Sequence, residues 1–250
     1  MKAKLLAFAL GAAITMPAFA YTHVGNCGLH SSYALSIKAD RLVFKRSSGS
    51  PAEVEIADGT LRVDGRLVTT DAADEKRLRD AEREIRAIVP EVKTIARDAI
   101  AIAFEAIGQV SAAFAKDGDA ARASAARIAR AGRQIDRRIA DTDNFEHWQD
   151  ADIDALIEGT IATLIPELVG NVTAQALKVA FSGDDAAVAE LEARASGIER
   201  SVERAVEKQA GDLERRAMEI CPRLRALDRV ESELNLRLAD GSRLDLVRVD

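Results

Sequence analysis

Tyr21, Thr22 and His23 are the first residues in the chain whose types and order suggest chemistry. If the peptide is cut after Ala20, a free amine is followed at the third position by a histidine. The amine, two deprotonated backbone amides and the His23 imidazole then offer the planar four-nitrogen set that Cu(II) and Ni(II) prefer. These ligands are consecutive, so no fold is needed to assemble them; with no metal they would be an ordinary flexible terminus. Two cysteines follow, Cys27 and Cys221, 194 positions apart. An oxidising compartment permits a disulfide between them, which would tie the chain ends together. Two buried thiols or a metal pair are the alternatives. The histidines are His23, His30 and His147, and none stands in an HExxH pattern. GxSxG, P-loop and GxGxxG patterns are absent as well. Without a recognised nucleophile or acid/base arrangement, the reading is a protein that is not an enzyme and that uses no cofactor.

The case for cleavage lies in residues 1–20. Lys2 and Lys4 form a positive start, Leu5 to Met16 an apolar run, and Ala18-Phe19-Ala20 a small-x-small cleavage site. This is the three-part pattern of a secretory signal, and its apolar run is too short to span a bilayer. No cysteine stands at the cleavage site to take a lipid anchor. The short positive start suits a bacterial envelope, so the expected location is periplasmic. Without the leader, 33 basic residues face 41 acidic ones, a formal charge of −8. An acidic surface argues against a nucleic-acid partner. Aromatics make up 4% of the chain, too few for a carbohydrate or base-stacking platform.

Three textures follow the leader. Residues 21–70 read as an N-terminal β module: Ala34 to Lys38, Leu42 to Phe44, Val54 to Ile56, Leu61 to Val63 and Leu67-Val68 are short apolar or alternating runs. Asp58-Gly59 and Asp64-Gly65 punctuate them as hairpin turns. Residues 71–220 read as a helical bundle. Asp71 can cap its first helix, where Leu78, Ala81, Ile85 and Ile88 form one stripe. Pro90 is expected to start or kink the next segment, which runs to about Ala115. A third helix places Ala125, Ile128, Ala131, Ile135 and Ile139 on one face. A fourth runs from near Phe145 to about Phe181, and Ser182-Gly183-Asp184 stops it and caps a fifth. Residues 221–250 alternate again at Leu234, Leu236 and Leu238, then Leu244 and Leu246, around Asp240-Gly241. They are expected to form a hairpin that joins the N-terminal module. The fold class is α+β: an elongated bundle of long amphipathic helices with a small antiparallel β module built from both termini.

These marks together resemble the YggN-like family of uncharacterised periplasmic proteins, a domain of unknown function. The resemblance rests on the signal peptide, on Cys27 soon after it, and on Asp58-Gly59-Thr60-Leu61-Arg62-Val63-Asp64-Gly65 leading to Ile88-Val89-Pro90. Cys221-Pro222-Arg223-Leu224 completes it. It implies a location and a style of fold, and no reaction.

Two surfaces invite a partner. The third helix carries Arg122, Arg127, Arg130, Arg133, Arg137 and Arg138, and the stretch after it is acidic from Asp141 to Glu158; mutual neutralisation explains both. Thr94–Ala115 and Ala155–Phe181 are unusually apolar, but their charged interruptions are costly in lipid, so no integral membrane protein is expected after processing. They read as the central helical hairpin of the core, or else as a groove for an acyl chain or a partner helix. Phe145 to Trp148, which holds the single Trp, reads as an anchor at a helix start. The leading expectation is an envelope interaction or structural protein acting through contacts with other envelope proteins. A carrier or chaperone for a lipid or other apolar ligand is the alternative.

Overall fold

The computed structural model describes residues 28–140 and 150–249. The element order is β1 (Leu29–His30), β2 (Ala34–Ile37), β3 (Leu42–Lys45), β4 (Glu53–Ala57), β5 (Thr60–Val63), β6 (Arg66–Val68), α1 (Ala72–Ala113), α2 (Gly118–Ala140), α3 (Asp150–Ser182), α4 (Asp185–Ser232) and β7 (Arg248–Val249). Strands β2 to β6 form an antiparallel meander in chain order. Both Asp-Gly pairs turn it as the sequence predicts. Asp58 and Gly59 have φ of 44° and 81°, and Asp64 and Gly65 have 48° and 76°. Positive φ at both central residues matches the twist that two-residue hairpins need.

One face of the meander is apolar. In β4, Val54 and Ile56 are buried while Glu53 and Glu55 alternate with them. Leu42, Phe44, Val54, Ile56 and Leu61 pack with Leu78, Ile85 and Ile88 of α1 and Ile220 and Leu227 of α4. Gly59 lets the β4–β5 turn touch α1: a Cβ there would stand 2.6 Å from the Glu75 carbonyl oxygen.

The helices differ from the sequence reading at the prolines. Helix α1 is continuous through Pro90, so the two segments expected there are one 42-residue helix. Helix α4 likewise continues through Cys221 and Pro222 to Ser232, past the change of period expected at 221. A proline costs about 3 kcal/mol inside a helix because it lacks a donor and crowds the preceding turn. Packing of α1 against α4 outweighs this. Arg223, beside Pro222, donates to Glu84 and to both carboxylate oxygens of Glu91, beside Pro90, at 2.8 Å. Arg216 to Asp98 at 2.6 Å continues the seam. Ser111 of α1 and Ser124 of α2 share a buried hydrogen bond of 2.6 Å.

The C-terminal tail is extended, with Leu234, Leu236, Leu238, Leu244 and Leu246 buried, but it forms no ladder with the meander. Its turn is real: Leu238 N–H donates to Ser242 O at 3.0 Å and Gly241 N–H to Leu238 O at 2.9 Å. The termini do meet, through the separate two-stranded pair β1–β7.

Candidate functional site

Among the described residues of α3, none is buried. This corrects the expectation that Ala155–Phe181 forms the centre of the core. Asn171, Val172, Gln175 and Val179 are half-buried on the inner side. The Gln175 side-chain amide donates to the Phe114 carbonyl at 2.7 Å, which pins the helix to the end of α1. The other side is open: Val169 and Leu177 are each 50% exposed and Phe181 is 85% exposed. Val188, just after the turn into α4, is exposed too. Asp184 starts α4 by accepting from the amides of Ala186 and Ala187, so the α3–α4 hairpin is set by a cap rather than by a core.

A cleft of about 530 Å³ lies where α3, α4 and the end of α1 meet. Ala174, Val179 and Leu191 line it, but so do Lys116, Lys178, Glu190 and Arg194. Acyl-chain pockets are mostly apolar. The charges here suit a solvated crevice better than a lipid cavity.

The most buried carboxylates serve the tail. Asp74, 1% exposed in the first turn of α1, accepts from the amides of Asn235 at 3.1 Å and Leu236 at 3.2 Å, and from Arg77 at 3.0 Å. Glu231 accepts from the amides of Leu246 at 2.8 Å and Val247 at 3.2 Å. Asp228 accepts from Val249 N–H at 3.2 Å. Ser31 Oγ donates to the Leu246 carbonyl at 2.7 Å. Burial pushes the Glu231 carboxyl up to about 7; the two amide donors oppose the rise, and the charges of Asp245 and Asp228 add to it. These carboxylates accept from backbone amides of the tail, so the cluster fastens the tail to α1 and α4. A second polar patch, Asp40, Asp58, Arg79, Glu82, Arg83 and Arg86, is likewise absorbed internally. Arg86 donates to Glu82 and to the Lys38 carbonyl, and Glu82 accepts from Asp58 N–H.

The expected site residues fall mostly elsewhere. Tyr21, Thr22, His23 and Cys27 lie outside the described residues, as do His147 and the Phe145–Trp148 cluster. Cys221 is buried on α4, with Sγ 3.9 Å from the Ala217 carbonyl. No group of three or more His, Cys, Asp or Glu side chains among the described residues is placed to hold a metal. Arg122, Arg130, Arg133 and Arg137 of α2 are exposed, while Asp136 ties α2 to Arg97 of α1 at 2.6 Å. No described helix is long and apolar enough to cross a membrane.

The stretch from Cys27 to Val247 carries both the meander with its paired Asp-Gly turns and the long helices that follow. Residues 27–247 match the family described as "Protein of unknown function (DUF2884)". The chain belongs to this family. The match spans the sheet, all four helices and the tail, so it takes in the features set out above, and it is the uncharacterised family that the sequence resembles. No curated protein and no solved structure matches the chain.

Sequence reasoning missed Asp74, Glu231 and Asp228 as tail acceptors. Asp74 reads only as a first-turn acid, because its partners lie about 160 positions away. The open face of α3 stands in the sequence reading only as the alternative to a core, a groove for an acyl chain or a partner helix, because apolar periodicity signals burial but not whether anything arrives to cover it.

Proposed function

We propose that this is a non-enzymatic, exported protein of the periplasm that works by binding other proteins through the outer face of α3. The observation that carries this reading is an apolar helix of 33 residues with no buried side chain among those described. Contiguous exposed apolar surface on a soluble protein marks an interaction site. The leader at residues 1–20 supports export, and the use of the buried carboxylates to hold the C-terminal tail supports a role without catalysis.

Export also supports the Cys27–Cys221 disulfide. Leu29, two residues beyond Cys27, pairs with Val249, whose amide is held by Asp228 of α4. Asp228 is two helical turns from Cys221, about 10 Å. The terminal Tyr21-Thr22-His23 set would then stand free for one Cu(II) or Ni(II) ion.

The test is a photoreactive residue at Leu177, compared in cells with one at Ala126, which is exposed on α2. A protein adduct specific to position 177 is expected. Lipid adducts alone, or equal labelling at both positions, would overturn the reading. The same preparation should begin at Tyr21 by intact mass and yield a Cys27–Cys221 peptide under non-reducing digestion.

A further inference from the structure

Helix α2 turns one arc of its surface straight away from the core. At 3.6 residues per turn, its buried Ser124, Ile128, Ile135 and Ile139 fall within about 60° of one another. Arg122, Arg130, Arg133 and Arg137 fall within about 80°, on the opposite side, and all four are exposed. The same arc holds exposed Ala126, Ala129 and Ala140, and Asp119, which pairs with Arg122. Four arginines against that one acid leave the arc at +3, in a chain whose formal charge is −6.

The sequence reading assigns these arginines to mutual neutralisation with the acids that follow. The structure leaves three of them out of it. Asp136, the other acid of α2, is turned to Arg97 of α1. Arg137 donates to the Arg133 carbonyl, and among the described residues no carboxylate stands within ion-pair distance of Arg130, Arg133 or Arg137. Helix α3 begins with the acids Asp150, Asp152, Asp154 and Glu158, at the end remote from Gln175, which is held at Phe114 just before α2. They are nearer the Arg137 end of the arc than the Arg122 end.

The shape of the arc selects what it can meet. From Arg122 to Arg137 it runs about 22 Å along a convex helix, so the guanidinium groups fan out instead of converging on one small anion. Protein interfaces centre on buried aromatic or aliphatic anchors, and the arc has only arginine, alanine and Asp119. A helix that inserts into a bilayer buries its apolar face among acyl chains, but the apolar face of α2 is already packed against α1. An extended anionic surface asks for charge alone.

We propose that the arginine arc of α2 rests on the phosphate headgroups of an anionic phospholipid bilayer, with the helix lying along the surface and inserting nothing. Guanidinium suits this contact because it can grip two phosphate oxygens at once. Ala126, Ala129 and Ala140 keep the strip low, so the arginines reach the headgroups unobstructed. The acidic remainder of the chain is screened beyond about 8 Å at physiological salt, so the face that touches the bilayer governs binding. The contact is separate from α3 and does not depend on what docks there.

Cosedimentation of the full chain, purified from the envelope, with lipid vesicles tests this. Binding to mixed phosphatidylglycerol and phosphatidylcholine vesicles is expected, and none to phosphatidylcholine alone. It should vanish as salt shortens the screening length from about 10 Å at 0.1 M to about 3 Å at 1 M. Arg130→Gln, Arg133→Gln and Arg137→Gln should each weaken binding about fivefold, and together about a hundredfold. The melting temperature should not change, because all three side chains are exposed. Arg130→Lys, Arg133→Lys and Arg137→Lys together should keep most of the binding, since the charge is retained. Equal binding to both kinds of vesicle, binding to neither, or a triple glutamine variant that binds like the native chain would overturn the proposal. Inorganic phosphate at matched ionic strength should not compete; competition would mean a discrete anion site and would overturn it too. Ala126 lies in the middle of the arc, so a photoreactive residue there should capture phospholipid. Protein without lipid at 126 would make the occupant an acidic partner and sink the bilayer contact. Lipid at both 126 and 177, with protein at neither, would sink the reading of α3 and leave this one standing.

Discussion

Leu61 and Leu177 are the same side chain at two places in one molecule: the first is fully buried under the sheet, the second half exposed on α3. The sequence around Leu177 is the more apolar of the two, so local composition does not decide which leucine is buried. What differs is the number of elements that converge. At Leu61 the meander, α1, the end of α4 and the C-terminal tail close around one core. The tail completes that core without a ladder of its own. Its amides go to Asp74, Glu231 and Asp228, carboxylates that stand in for the missing neighbouring strand. Among the described residues, no element covers the outer side of α3. A core therefore depends on closure, and an apolar helix without closure is a surface.

The contrast is sharpest in substitutions at the two places. Removing the buried Asp74 carboxylate with Asp74→Ala should cost about 3–5 kcal/mol, because two tail amides and Arg77 lose their acceptor at once. Urea unfolding measures this, and a loss below about 1 kcal/mol would mean that the tail is not fastened there. Leu78→Ala, in the same core, should cost about 2–5 kcal/mol, whereas Leu177→Ala should stay within about 0.5 kcal/mol in the monomer. Equal losses would erase the distinction between the two regions.

Glu231 makes the sheet end sensitive to pH. Its folded value of about 7 lies above the ordinary 4.5, so folding favours the protonated form. The stability this group contributes is fully present below pH 4.5 and is lost as pH rises through about 7. The loss should approach about 3 kcal/mol, at about 1.4 kcal/mol per pH unit of displacement. Urea midpoints between pH 4.5 and pH 8 should therefore fall in the native chain and fall less in Glu231→Gln. A midpoint that rises over that window, or the same slope in both proteins, would show that the carboxyl is not the titrating group.

The two hairpin turns give a smaller, internal comparison. Both Gly59 and Gly65 have positive φ, but only Gly59 lies against α1. Gly65→Ala should cost about 1 kcal/mol for the backbone alone. Gly59→Ala should exceed it by about 1–2 kcal/mol, because the added methyl meets the Glu75 carbonyl. Thermal unfolding that ranks them in reverse would remove the close approach of turn and helix. Asp136→Ala breaks an exposed pair with Arg97 and should cost less than about 1 kcal/mol, fading in salt.

Much of this molecule is legible in local spacing. Asp58-Gly59 and Asp64-Gly65 announce their hairpins because few other residue pairs accept two consecutive positive φ values. Asp71 and Asp184 announce their helices because a side-chain oxygen at the cap satisfies amides within three residues. The stripe of Leu78, Ala81, Ile85 and Ile88 is buried as its period requires. Each of these relations is completed within a few positions. Pro90 and Pro222, by contrast, look like breaks, and only the α1–α4 seam keeps both helices whole. Leu234 to Leu246 alternates like a strand, yet its amides end on helix carboxylates. Ala155–Phe181 is apolar like a core, yet its described side chains lie open. In these three places the outcome is set by groups distant in the sequence that either arrive or do not. Short-range chemistry was written in the sequence alone; which surfaces become closed, and which stay open, was decided by the tertiary structure.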